Sequence, residues 1–150
     1  MEAREERIAD VRDRVARSRF HGWMGMQVRD LGEGTSEIEL RVEDHHTNLM
    51  GVLHGGVITS LADAATGIAM LTALDAGWSH LTTSLQMTFL SPGARGDTVV
   101  ARGRVVKRGR RFGYAEADVE RDADGALLAR AAATFLVQPE RTGESPAGRQ

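Results

Sequence analysis

The 150-residue chain contains no cysteine. That excludes a disulfide framework, a thiol nucleophile and a cysteine-ligated metal site, and it fits a reducing compartment. The cytoplasm is therefore the expected location. Aromatic residues are few, at 5%, and the formal net charge is only −2. Both argue against nucleic acid and against an anionic membrane as partners. Met1 to Arg17 is heavily charged and lacks the apolar run of a signal peptide. No G-x-S-x-G elbow occurs, so serine-hydrolase chemistry is not expected. The longest weakly polar stretch, Leu53 to Trp78, is interrupted by His54, Gly55, Gly56, Asp63, Thr66 and Asp75. It reads as a buried helix of a soluble protein, because a membrane span should be more uniformly apolar.

What is present is the pattern of one α+β domain. Residues 2–18 carry Ile8, Val11 and Val15 at helical spacing among charges, which predicts an exposed helix. A strand is expected over 25–30. In 35–43, Ile38, Leu40 and Val42 alternate with Glu37, Glu39, Arg41 and Glu43, the signature of a half-buried strand. A polar loop over 44–52 precedes a long helix from Leu53 to about Asp75, with Gly77 as its cap. Strands are then expected over 81–90, 97–107, 112–121 and 127–138. Strands in succession, joined by short turns, indicate an antiparallel sheet. Domain bounds follow: an N-terminal helix over 1–19, the main domain over 20–138 and a disordered tail over 139–150. The long helix is apolar nearly all round, which predicts a sheet on one side and a partner chain or ligand on the other. Met70, Leu74 and Trp78 are candidates to line a pocket there.

Within that helix stands Asp63, and no Lys or Arg occurs between Arg41 and Arg95. An unpartnered carboxylate costs several kcal/mol if fully buried. It is either exposed in a cavity or kept for chemistry. Gly55 and Gly56 open the same helix, where the first N–H groups lack intrahelical partners and the dipole favours negative charge. Glycine lets an acyl oxygen approach those donors, so a developing oxyanion would be stabilised there. Asp63 lies eight positions after Gly55, about 12 Å along the axis. That is too far for both to meet one carbonyl carbon on a single helix. If both act on the same atom, one of them comes from a second subunit.

Asn48-x5-His54-Gly55-Gly56-x4-Leu61-Ala62-Asp63 resembles the signature of hotdog-fold acyl-CoA thioesterases, closest to the PaaI-like, phenylacetate-pathway branch that includes the thioesterase superfamily member 2 type. The resemblance continues through 82–92, Gly96-Asp97, Asp124-Gly125 and 131–135. It implies a long central helix wrapped by an antiparallel sheet of about five to six strands. It also implies a homodimer, pairing further into a tetramer, with the active site at the subunit interface. By the same resemblance Asp63 is the catalytic carboxylate, acting as general base or nucleophile, and the Gly55 N–H polarises the thioester carbonyl. Asn48 lies near the attacking water or thioester, His54 has a supporting role, and Thr82 orients water. Three adjacent hydroxyls, Thr82, Thr83 and Ser84, leave that last assignment open by one or two positions. Gly56 and Thr83 are expected to touch substrate.

Arg102, Arg104, Lys107, Arg108, Arg110 and Arg111 put six cations within ten residues. They read equally as a solvated hairpin protecting a sheet edge or as a clamp for coenzyme A phosphates, with Arg108, Arg110 and Arg111 at its centre. His45, His46 and His54 form no convincing metal-ligand set, so they are expected to be loop histidines without a metal. No cofactor is expected beyond coenzyme A as part of the substrate. Two other functions are compatible with the pattern: a non-hydrolytic acyl-CoA binding or sensing module, and a hydratase or dehydratase. Retention of Asp63 disfavours the first, and the lack of a second acid–base pair disfavours the second. Aromatic and medium-chain thioesters are equally compatible with the pattern.

Overall fold

The apolar stretch after Leu53 folds as one helix, and six strands wrap it. The computed structural model describes residues 1–141. Two helices come first, α1 (Glu2–Ala16) and α2 (Arg19–Met24), then strands β1 (Met26–Gly32) and β2 (Thr35–Arg41). A single 3-10 turn (Asp44–His46) leads to the central helix α3 (Gly55–Ala73). Four strands follow: β3 (Trp78–Phe89), β4 (Thr98–Arg108), β5 (Phe112–Arg121) and β6 (Leu127–Pro139). All pairings are antiparallel, in the order β1-β2-β4-β5-β6-β3. This is the α+β hotdog architecture.

Alternation along the strands supplies the inner face. Ile38, Leu40, Val99, Ala101, Ala115, Ala117, Val119, Ala129, Ala133 and Phe135 are all buried against α3. Many are alanine, so the helix can lie close to the sheet. Contact is tightest at Gly103, where an added Cβ would collide with the Ala65 carbonyl. The buried Ser36 hydroxyl donates to that same carbonyl at 2.7 Å. By length and composition α3 could cross a membrane. Here it is the core helix of the sheet, with twelve of its residues buried.

Several expectations need correction. The N-terminal helix is not simply exposed. Val11 is fully buried and Arg7 nearly so. Arg7 donates to the Leu71 carbonyl at 3.3 Å and the Trp78 carbonyl at 3.0 Å, and Arg4 donates to Thr72 at 3.1 Å. The last turn of α3 has no cation of its own, so α1 supplies the charge that its carbonyls and dipole favour. The short helix α2 went unread, because its six residues are too few to show a period. Pro139 ends β6, and Glu140 is tied to Gly77 through its N–H and to Arg14 through its carboxylate. The expected disordered tail therefore does not begin at Pro139, and 142–150 lies outside the described residues. The basic β4–β5 hairpin does not guard an edge, since β4 and β5 are interior strands. Finally, Met70 and Leu74 do not line a pocket. Both are fully buried, packed with Ala115, Ala133, Phe135 and Val137.

Candidate active site

The loop before α3 is fixed by a buried imidazole. His46 Nδ1 accepts the Glu43 N–H at 3.0 Å, and its Nε2 donates to the Met24 carbonyl at 2.7 Å. Its backbone carbonyl accepts the His54 N–H at 2.8 Å. Both ring nitrogens are thus engaged as one neutral tautomer, leaving none for a metal. Asn48 shapes the next turn: its Oδ1 accepts the N–H groups of Met50 at 2.9 Å and Val52 at 3.3 Å. That is an Asx-type turn. It leaves the Asn48 amide NH2 without a partner among the described residues.

His54 is the N-cap of α3. Its Nδ1 accepts the Gly56 N–H at 2.8 Å, and its carbonyl accepts Val57 and Ile58. Three of the four donors at the helix start are thereby occupied. The Gly55 N–H is the one left free among the described residues. Gly55 also packs flat: an added Cβ would lie 3.4 Å from the Phe89 ring.

Two turns along, Asp63 is exposed on α3, so the burial cost does not arise in the single chain. Its Oδ1 accepts the Thr82 hydroxyl at 3.2 Å. A bulge in β3 decides which of the three adjacent hydroxyls does this. Thr82 pairs with Phe135 and Ser84 with Thr134, so Thr83 is the extra residue. Before the bulge, His80 and Thr82 share the helix-facing side with Phe135. After it, Leu85, Met87 and Phe89 take that side, opposite Ala133, Ala131 and Ala129. Bulges re-aim side chains in this way. Thr83 instead donates to the Thr134 carbonyl at 3.0 Å, and Ser84 points away from the helix.

Two histidines that drew no attention in the sequence stand near Asp63. Burial pushes His80 below its ordinary value of 6.5, against smaller opposing effects of the Gly67 carbonyl and the Asp63 charge. Burial lowers His21 as well, again opposed by Asp63. The His-x-Thr spacing of His80 and Thr82 was a usable signal, since residues two apart share a strand face.

The basic residues divide. Arg102 pairs with Glu37 and Glu120, Arg104 with Glu116, and Arg108 with Asp75 at 2.9 Å. Arg108 holds the Asp75 carboxyl below its usual range. Arg108 and Arg110 line a cleft of about 550 Å³ with Asp75, Trp78 and Val137. Arg110 and Arg111 line a second, beside Phe112 and Tyr114. Neither cleft includes Asn48, Gly55, Asp63 or Thr82.

The chain belongs to the thioesterase superfamily, whose family model matches residues 50–128. The stretch spans Gly55, Asp63, Thr82 and the basic hairpin. Among curated relatives, human acyl-coenzyme A thioesterase 13 is 32% identical over 92 residues, which are 61% of this chain and 65% of that one. The match thus spans just under two thirds of that relative's length. A putative esterase of Saccharolobus solfataricus, SSO2140, is 32% identical over 77% of this chain and 80% of its own. Of solved structures, a mutant of the phenylacetic acid degradation protein PaaI from Thermus thermophilus superposes with a TM-score of 0.74 at 28% identity, covering 79% and 98% of the two chains. The smu.793 protein of Streptococcus mutans, bound to acetyl CoA, superposes at 0.71 with 26% identity, over 78% and 91%. Within that superfamily its fold and sequence resemble the PaaI-like hotdog branch.

Proposed function

We propose that the protein hydrolyses acyl-coenzyme A thioesters to free acid and coenzyme A. The observation that carries this is that α3 has a free backbone donor, Gly55 N–H, at its start and, two turns on, an exposed carboxylate, Asp63, held by the Thr82 hydroxyl. The first suits the oxygen of a thioester carbonyl as it gains charge. The second suits attack on the carbonyl carbon, by the carboxylate itself or by a water it deprotonates. The free Asn48 amide can donate to the thioester or to that water. The kinship with a named acyl-coenzyme A thioesterase and with a neighbour bound to acetyl CoA supports coenzyme A as the leaving group. The chemistry calls for no metal or redox cofactor, and in this reading the protein works in the cytoplasm.

A second copy completes the site. Strand β3 is a sheet edge with β6 its sole neighbour among the described residues, and long exposed edges invite pairing. Alongside α3, Thr82 marks the Asp63 end of β3 and Phe89 the Gly55 end. Antiparallel pairing of two β3 edges about a two-fold axis sets the Thr82 end of one beside the Phe89 end of the other. Asp63 of one chain then approaches Gly55 of its partner, which removes the 12 Å problem. Further pairing to a tetramer would use the outer sheet faces. In such an assembly the arginines of the β4–β5 hairpin are candidates to meet coenzyme A phosphates.

The test is turnover of a panel of aromatic and medium-chain acyl-CoA thioesters, followed by free-thiol detection. Hydrolysis is expected, with the preferred acyl group read from the panel. Binding of acyl-CoA without release of thiol would instead favour a sensing module.

A further inference from the structure

The strand that carries Thr82 is tied to the helix that carries Asp63 at a second point. His80 lies two residues before Thr82 on the same side of β3, and Gly67 lies one turn after Asp63 on α3. The His80 Nε2 is 2.7 Å from the Gly67 carbonyl. A carbonyl can only accept, so Nε2 carries the proton. Two parallel rungs therefore join β3 to α3: Thr82 to Asp63 and His80 to Gly67.

The surroundings admit only this form of the ring. His80 Nδ1 is buried without a hydrogen-bond partner among the described residues. The ring packs edge-on against Phe135, with centroids 4.7 Å apart. A proton on Nδ1 would face no acceptor, and burial opposes the charge. Gly67 is matched to the arrangement. A Cβ there would stand 3.2 Å from His80 Cε1, tight enough to displace the ring. Phe135 is fully buried and is the register partner of Thr82 on β6. The ring is thus held from both sides, by the helix backbone and by the residue paired with Thr82.

We infer that His80 is a positioning residue: its Nε2–H tether to the Gly67 carbonyl sets the height of β3 on α3 at which the Thr82 hydroxyl meets the Asp63 carboxylate. The inference rests on the thioesterase reading for its kinetic consequence and on the geometry alone for the tether. His80 touches neither substrate nor reacting atoms; it acts through Thr82 and Asp63. Without the tether, the Thr82 hydroxyl alone bonds β3 to α3 among the described residues, and the bulge at Thr83 interrupts the ladder with β6, so this end of the strand can shift on the helix by an ångström or so. A shift of that size in a catalytic group can cost about a hundredfold in rate.

Substitution with a rescue arm tests this. His80→Phe keeps a flat ring and loses the donor, whereas His80→Gln keeps an N–H within reach. His80→Phe is expected to lower kcat about tenfold to a hundredfold, with KM within about twofold, and His80→Gln to recover most of the loss. In a Thr82→Val background, His80→Phe should add less than about twofold, because the pair it positions is already broken. Full additivity in that background, or an effect on KM alone, would overturn the inference. If His80→Phe does not fold, Gly67→Ala serves as the second variant and should show the same kcat loss; unchanged kcat there would overturn the inference equally. Nitrogen NMR of the imidazoles in the wild-type protein reads the tether independently of turnover. An Nε2–H tautomer at His80 is expected, and an Nδ1–H tautomer or an imidazolium at neutral pH would overturn it. Should Asp63→Asn leave turnover intact, the hydrolytic reading fails by itself, and the NMR result still decides the tether.

Discussion

The Nδ1 atom of His54 accepts the Gly56 N–H at 2.8 Å, and this one bond divides the glycine pair. One backbone donor becomes part of the helix cap, and the other, at Gly55, stays free among the described residues. The proposed oxyanion role of Gly55 depends on that division, and a substitution that the backbone already tolerates tests it. His54 has φ −64° and ψ 133°, the extended conformation required of a residue before proline. Proline is also well accepted at the first position of a helix. Gly55→Pro should therefore fold with little change in melting temperature, while deleting the free donor. Loss of one oxyanion donor lowers kcat about a hundredfold to a thousandfold, and steady-state kinetics on the folded variant checks it.

The hydroxyl on β3 offers a second test. Thr82→Val removes the donor to Asp63 and keeps the branched shape. It is expected to lower kcat about tenfold or more, whereas Thr82→Ser should stay within about threefold of wild type. Thr83→Val should change kcat little, since the Thr83 hydroxyl is bound to the Thr134 carbonyl. Equal losses at 82 and 83 would contradict the assignment of the bulge.

How much of this was legible beforehand differs by element. The order of strands and the long helix were readable because Ile38, Leu40 and Val42, or Ala129 to Val137, alternate with the period of a strand. The opening of α3 was readable because glycines and a capping side chain sit where a helix starts. The inward turn of Thr82 was not, because three adjacent hydroxyls carry no parity and the bulge at Thr83 shifts it. Met70 and Leu74 were misplaced for a related reason: helical angles order residues around an axis without saying how far a sheet wraps it. Arg7 looked like one more surface charge, since its partners, the carbonyls of Leu71 and Trp78, lie more than sixty residues away. His80 lies one residue before the expected strand of 81–90, so only the His-x-Thr spacing, and not the strand assignment, pointed to its sharing a face with Thr82.

Arg7 yields a stability prediction. Its guanidinium is nearly buried and donates to the Leu71 carbonyl of α3, the Trp78 carbonyl of β3 and Asp10. Arg7→Met should cost about 3 kcal/mol, seen as a fall in melting temperature of about 10 °C. Arg7→Lys should recover only a part, because the three N–H groups of an ammonium share one nitrogen and cannot span acceptors that the guanidinium reaches from Nε, Nη1 and Nη2. Catalytic constants at a temperature where both variants are folded should be close to wild type.

The two histidines near Asp63 set a pH dependence. Burial lowers both His21 and His80 from an ordinary value of 6.5. The unfolded chain then binds protons that the folded chain refuses, so stability rises with pH across that interval. It is fully present above the unfolded value and is lost as pH falls through the folded one. Calorimetric melting from about pH 8 to about pH 5 should show a decline beginning below pH 6.5. The decline should be shallower in His80→Gln, which has no proton to gain.

The central claim is that Asp63 and Gly55 act on one thioester from two chains, and mixing inactive variants tests it most directly. Asp63→Asn and Gly55→Pro chains, each inactive alone, are unfolded together in equal amounts and refolded. In a mixed dimer one of the two active sites carries both lesions and the other carries neither. Random pairing makes half the dimers mixed, so about a quarter of wild-type activity should return. Recovery near that level is the predicted result. No recovery from a mixture shown to contain mixed dimers would place both groups within a single chain and contradict the account.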